Sequence, residues 1–185
     1  MTEQPKYTKV KQDGAFELRQ YAGYIKAEVR AEGKSYKQAA ENGFRVLAAY
    51  IFGNNASQGS ISMTTPVQAA KSEKIAMTAP VIVSGESEYR IAFIMPSMYS
   101  METLPVPLDG RVALTPVGPQ LQGAIRFSGY FNEEKISRNK AKLVAWLATQ
   151  KLMPDGEFII AGYNPPWIPG FLSRNEILTN VKPME

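Results

Sequence analysis

Neither cysteine nor histidine occurs anywhere in the 185 residues. The first absence removes disulfides, zinc–thiolate sites, iron–sulfur clusters and cysteine nucleophiles. The second removes the Ser-His-Asp triad, histidine-bound metals and imidazole general bases. Any acid–base chemistry therefore falls to Asp, Glu, Lys or Tyr. No apolar run approaches the roughly eighteen or more residues that a membrane helix needs. The opening stretch MTEQPKYTKVKQDG lacks the apolar centre of a secretory leader, so a cytoplasmic protein without a membrane span is expected. Charge is modest too: 21 Lys and Arg against 17 Asp and Glu give a formal +4. That is a weak field for anions rather than a binding site. Lys135, Arg138, Lys140, Lys142 and Lys151 gather within one predicted helix, where they read as a solvated face and not as a nucleic-acid contact.

What is present is material for a core. Hydrophobic residues make up 44% of the chain, at a length suited to one domain or one domain of two similar halves. FELRQY (16–21) and YIKAEVRAE (24–32) alternate with the period of half-buried strands. Ser35 opens a helix, with Ala39, Ala40, Gly43, Val46, Leu47, Tyr50 and Ile51 on one stripe and Gly53 as its stop. VIV, the turn SGESE and YRIAFIMP read as a hairpin. Residues 96–110, rich in Pro and turn formers, read as a linker. Beyond it the order repeats: RVALTPV and AIRFSGYF as strands, then a helix over 133–151 capped by Asn132. Its stripe is Ile136, Leu143, Val144 and Leu147, and the strands FIIAGY and EILTNV follow. The expected fold is thus a single α+β domain spanning 1–185. It is a pseudo-twofold duplication of a β-β-α-β-β unit (halves about 7–95 and 111–182) forming a distorted antiparallel β-barrel with two packed helices.

One short motif is written twice. SISMTTPV at 60–67 is echoed by KIAMTAPV at 74–81, so that Met63 answers Met77 and Pro66 answers Pro80. Each proline pushes its predecessor, Thr65 or Ala79, towards extended backbone and withholds a ladder donor, which predicts a sheet edge or bulge. Met63 and Met77 read first as adaptable gap-fillers and second as contacts for a planar ligand.

DGAFELRQY, GFRVLAAYIFGNN, KIAMTAPV, IAFIMP with TLPVPLDGRV, the Y-x-P-P-W run and the closing RNEI form an ordered set across about 7 to 181. Through them the chain resembles the SOUL/heme-binding protein family, whose fold is similar in architecture to GyrI-like and multidrug-sensing effector domains. The resemblance implies binding of heme or another porphyrin for buffering or transport rather than catalysis. With no histidine available, thioether or phenolate ligation by Met63, Met77, Met95, Met98, Met101 or Tyr99 is open. The reading taken is non-covalent heme held by apolar burial, with basic side chains on its propionates. The residues assigned to heme are Met63, Lys74, Met77, Met95, Trp167, Phe171 and Arg174, with Arg45 as a further cation. No catalytic or metal-ligating residue is assigned. The alternative is a small-molecule effector domain, with or without weak hydrolytic activity. There Glu176 would be the carboxylate facing a cationic aromatic ligand, unless it pairs with Arg174.

Overall fold

The computed structural model describes residues 3–33, 35–58, 72–85, 88–163 and 173–184; of Tyr36 only the backbone is described. In chain order the elements are β1 (Tyr7–Asp13), β2 (Phe16–Tyr21), β3 (Tyr24–Ala31), α1 (Tyr36–Ile51), β4 (Asn55–Ala56), β5 (Val81–Ser84) and β6 (Tyr89–Ile94). They continue as β7 (Val106–Pro107), β8 (Ala113–Val117), β9 (Gln120–Phe127), α2 (Glu133–Thr149), β10 (Leu152–Pro154), β11 (Ile159–Gly162) and β12 (Asn175–Pro183). One ten-stranded antiparallel sheet runs β1-β2-β9-β12-β11-β5-β6-β3-β8, with β10 also paired to β12, and β4 and β7 form a separate ribbon.

The expected barrel is not what forms. β1 and β8 end the strand order without pairing to each other, so the sheet is open. Both edges carry residues that discourage further pairing. β1 is exposed beyond Tyr7 and bears Lys9 and Lys11, and β8 contains Pro116, which has no N–H to donate.

Residues opposite each other on paired strands share a face. Val83, in the core cluster under α1, faces Ile160, in the cluster under α2, so both helices cover the same side of the sheet. α1 begins where Ser35 Oγ accepts from the Gln38 N–H at 3.3 Å, and beyond its end Gly53 takes φ 122°. α2 is capped by Asn132, which accepts from the Lys135 N–H at 2.7 Å. Its buried face is Ile136, Asn139, Leu143, Trp146 and Leu147. Val144 is exposed, because one step of about 100° from Leu143 carries it off a face centred on 136, 139, 143 and 146.

Two further expectations change. Residues 96–110 are packed onto the first half: Leu104 is fully buried, the Tyr50 hydroxyl donates to the Pro105 carbonyl at 2.7 Å, and β7 pairs with β4. The strand expected over 124–131 begins earlier and ends at Phe127, and Gly129, at φ 102°, turns the chain towards α2. Among the described residues no helix is long and apolar enough to cross a membrane.

The face opposite α1 and α2 is buried by other means. Ile82, Ala92 and Ile94 pack with Tyr24 and Ile159, and Tyr21, Ala124, Ala161 and Leu178 pack with Tyr7, Ile159 and Tyr163. Glu176 lies on this same face, since it is opposite Ala161, which is opposite Ile82.

Candidate functional site

A cleft of about 430 Å3 opens where β3 begins and β6 and β8 end. Its walls include Tyr24 and Ile25 from β3, Ile94 and Met95 from the end of β6, and Pro116 and Val117 from β8. The turn after β6 adds Pro96, Tyr99 and Met101, and the segment before β1 adds Glu3 to Lys6. Adjacency of β3 to both β6 and β8 makes this wall, and the Met95 N–H closes it by donating to the Ile25 carbonyl at 2.8 Å. The volume falls within the roughly 300–1,000 Å3 range of small-molecule sites, and the lining is mostly apolar with a few polar groups.

The second copy of the repeated motif reaches this cleft through its threonine. Thr78 lines it, and the Thr78 hydroxyl donates to the Ile94 carbonyl. Met77 is 40% exposed and is not among the lining residues. Pro80 is buried and stands just before β5, an interior strand flanked by β11 and β6, so the expected sheet edge is not found at this copy. A proline preceding the first strand residue needs no ladder donor, which is why an interior strand accepts it. The first copy, with Met63 and Pro66, lies outside the described residues.

Of the other assigned residues, Met95 is buried and lines the cleft. Tyr99 and Met101 join it, but the Tyr99 hydroxyl donates to Glu73 Oε1 at 2.7 Å. That hydrogen bond, with some burial, pushes the phenol up to about 12, and the hydroxyl proton is engaged by Glu73. Lys74 is exposed and lies beside the end of α1, where the next residue's N–H bonds to Ile51. Arg45 lines a different groove with Arg30 and Arg111. Trp167 and Phe171 lie outside the described residues.

Arg174 and Glu176 belong to a separate, buried constellation. Glu176 is fully buried, and its carboxylate is clasped by Arg19: Nη1 donates to Oε2 at 2.6 Å and Nη2 to Oε1 at 2.9 Å. Arg174 donates to Oε1 from Nε at 3.0 Å and from Nη2 at 2.8 Å, and the Tyr163 hydroxyl donates to Oε2 at 2.9 Å. Arg19 also donates to Glu17 and to the Tyr21 hydroxyl and lies over the Tyr7 ring, while Arg174 lies over Tyr163. Burial works to raise the Glu176 carboxyl, but hydrogen bonds and charge from the two arginines outweigh it and hold it below the ordinary value. Burial pushes the Tyr21 phenol up to about 12. Glu176 is therefore an ionised, fully paired carboxylate, and Arg174 is committed to it.

Sequence reasoning missed Arg19 and the walls supplied by residues 3–6, Tyr24, Ile25, Pro116 and Val117. Arg19 left one usable trace. A carboxylate on a core-facing strand needs a cation, and FELRQY places Arg19 on one strand face with Tyr21. The cleft walls left none, since they come from segments far apart in sequence.

The fold resembles solved structures of low sequence identity. The EcmrR C-terminal domain matches at TM-score 0.64 and 8% identity, covering 96% of this chain and 99% of that one. A hydrolase from Listeria innocua matches at TM-score 0.58 and 11% identity, covering 94% of each chain. At these identities the likeness concerns fold alone. Among curated proteins, heme-binding protein 1 of Xenopus laevis is 29% identical over 175 residues, 92% of this chain and 86% of the relative. Its Xenopus tropicalis counterpart is 26% identical over the same length. The family model described as SOUL heme-binding protein matches residues 2–180, and this chain belongs to that family.

Proposed function

We propose that the cleft beside β3, β6 and β8 binds heme or a related tetrapyrrole, holding the ring by apolar burial without histidine, for buffering or transport rather than catalysis. The observation that carries this is a mostly apolar, open cleft of about 430 Å3 in a chain of the SOUL heme-binding family. The side chains present fit such a ring. Tyr24, Ile25, Ile94, Pro116 and Val117 offer it apolar surface, and Met95 and Met101 are the thioethers at hand for iron. Bound heme would supply a redox-active iron, whereas the chain's own residues bury the ring and limit its contact with water. Lys6 takes the place of Lys74 and Arg174 as the cation at the cleft. Met63, Trp167 and Phe171 stay proposed as ligand contacts on their chemistry alone.

The strand order supports a duplication. Exchanging β2, β3, β5 and β6 with β8, β9, β11 and β12 reproduces the order read from the other end. The effector reading, with Glu176 facing a cationic ligand, has less support, because both carboxylate oxygens already accept from arginine.

Titrating hemin into micromolar protein and following the Soret band tests the proposal. A saturable shift with one site per chain is expected, and metal-free protoporphyrin should bind within about tenfold of hemin if burial dominates. Absence of saturable binding by either would overturn it.

A further inference from the structure

The segment before β1 is tied across the cleft by backbone and side-chain bonds. The Glu3 carbonyl accepts from the Ala79 N–H at 2.9 Å, and the Lys6 carbonyl accepts from the Ala22 N–H at 3.1 Å. Glu3 Oε1 accepts from the Ser97 N–H at 2.9 Å, and Gln4 Oε1 accepts from Arg174 Nη1 at 3.3 Å. Glu3 and Lys6 are the charged side chains among the described residues lining the cleft, so its formal charge sums to zero. The hydrogen bonds from Ser97 hold the Glu3 carboxyl below its ordinary value and keep it ionised at neutral pH. Arg19 and Arg174 both donate to Glu176, and Arg174 also holds Gln4 of this strap through Nη1.

We propose that Glu3, fixed at the cleft by Ala79 and Ser97, is a specificity-determining residue that admits tetrapyrroles with an uncharged edge and rejects those carrying carboxylates on every edge. This rests on the cleft's being the tetrapyrrole site. A ring whose two propionates share one side can bury its apolar edge and leave both carboxylates in water. A ring with carboxylates all round must bring an anion into an apolar cleft beside a fixed, solvent-exposed anion, with Lys6 the one cation among the described lining residues. Desolvation and like-charge repulsion both oppose that entry. The substrate class is therefore the late, sparsely carboxylated tetrapyrroles, including heme.

The test compares dicarboxylic protoporphyrin, tetracarboxylic coproporphyrin and octacarboxylic uroporphyrin by absorbance titration and by thermal shift of the full chain. Protoporphyrin is expected to bind at least about tenfold more tightly than uroporphyrin, with coproporphyrin between. Glu3→Gln keeps an acceptor for the Ser97 N–H while removing the charge, and should narrow that gap about threefold or more. Raising the salt should narrow it as well. Equal affinity for all three, or a gap untouched by Glu3→Gln, overturns the charge filter alone. Failure of protoporphyrin and hemin alike to bind overturns the reading of the cleft and the filter with it.

Discussion

Arg19 and Glu176 meet through two parallel hydrogen bonds of 2.6 and 2.9 Å, with 2% and 0% of their side chains exposed. They lie 157 residues apart in sequence and come together because β2 and β12 both pair with β9. The pair, with Arg174, Tyr163 and Tyr21, occupies the sheet face opposite α1 and α2.

Removing Glu176 leaves Arg19 buried with Glu17 alone of its two carboxylates and takes the shared carboxylate from Arg174. Glu176→Ala is expected to cost about 3–5 kcal/mol of stability, read as a shift in the urea midpoint. The double change Arg19→Met with Glu176→Leu should recover part of that loss, because the buried guanidinium goes with its carboxylate, while Arg174, Tyr163 and Glu17 still lose a partner each.

The same network sets an acid limit. Glu176 and Glu17 both titrate below their ordinary 4.5 in the folded chain, despite burial that works to raise them. The unfolded chain therefore takes up protons first as pH falls. This part of the stability is fully present above about pH 4.5 and drains away as pH drops through the depressed folded values. Urea midpoints measured from neutral pH downward should fall below that point. In Glu176→Gln the fall should be shallower, starting from a lower midpoint.

Gly43 lets α1 pack close against Ile91 of β6. A Cβ there would lie 2.2 Å from Ile91 Cγ1 and 2.7 Å from its Cβ. Ile91 is fully buried and cannot move aside. Gly43→Ala gains up to about 1 kcal/mol of helix propensity but overpacks the core by a typical 1–3 kcal/mol or more. A net loss is expected, seen as a Tm lowered by several degrees, about 2–4 °C per kcal/mol at this chain length.

At the cleft, Val117→Trp on the edge strand β8 should obstruct the wall and weaken hemin binding by about tenfold, roughly 1.4 kcal/mol. Tyr99→Phe should leave the hemin spectrum unchanged, since the phenol hydroxyl is engaged by Glu73 at 2.7 Å. Absorbance titration of the two variants side by side checks both.

Much of the fold was legible from local pattern. The β5–β6 hairpin, the Ser35 and Asn132 caps and the inward residues of α1 followed from alternation, turn chemistry and the 3.6-residue period. β1 was not legible, because a polar edge strand exposed beyond its first residue shows no apolar alternation. Buried Asn139 in α2 was unreadable for a related reason: its amide is satisfied by the Lys135 carbonyl at 2.8 Å, within its own helix.

For the site, the residues singled out from the letters are distributed by the fold over more than one place. Met95, Met101 and Tyr99 do share a cleft, but Lys74 and Met77 do not line it, and Arg174 serves Glu176 instead. By itself the sequence determined the family, both helices, several of the strands and the exclusion of imidazole and thiolate chemistry, since these depend on residue identity and near-neighbour spacing. The tertiary structure alone decided that the sheet stays open, that Arg19 neutralises Glu176 and that residues 3–6 wall the cleft. Those outcomes depend on which distant strands become neighbours, and short-range forces act only after the chain has brought them within a few ångströms.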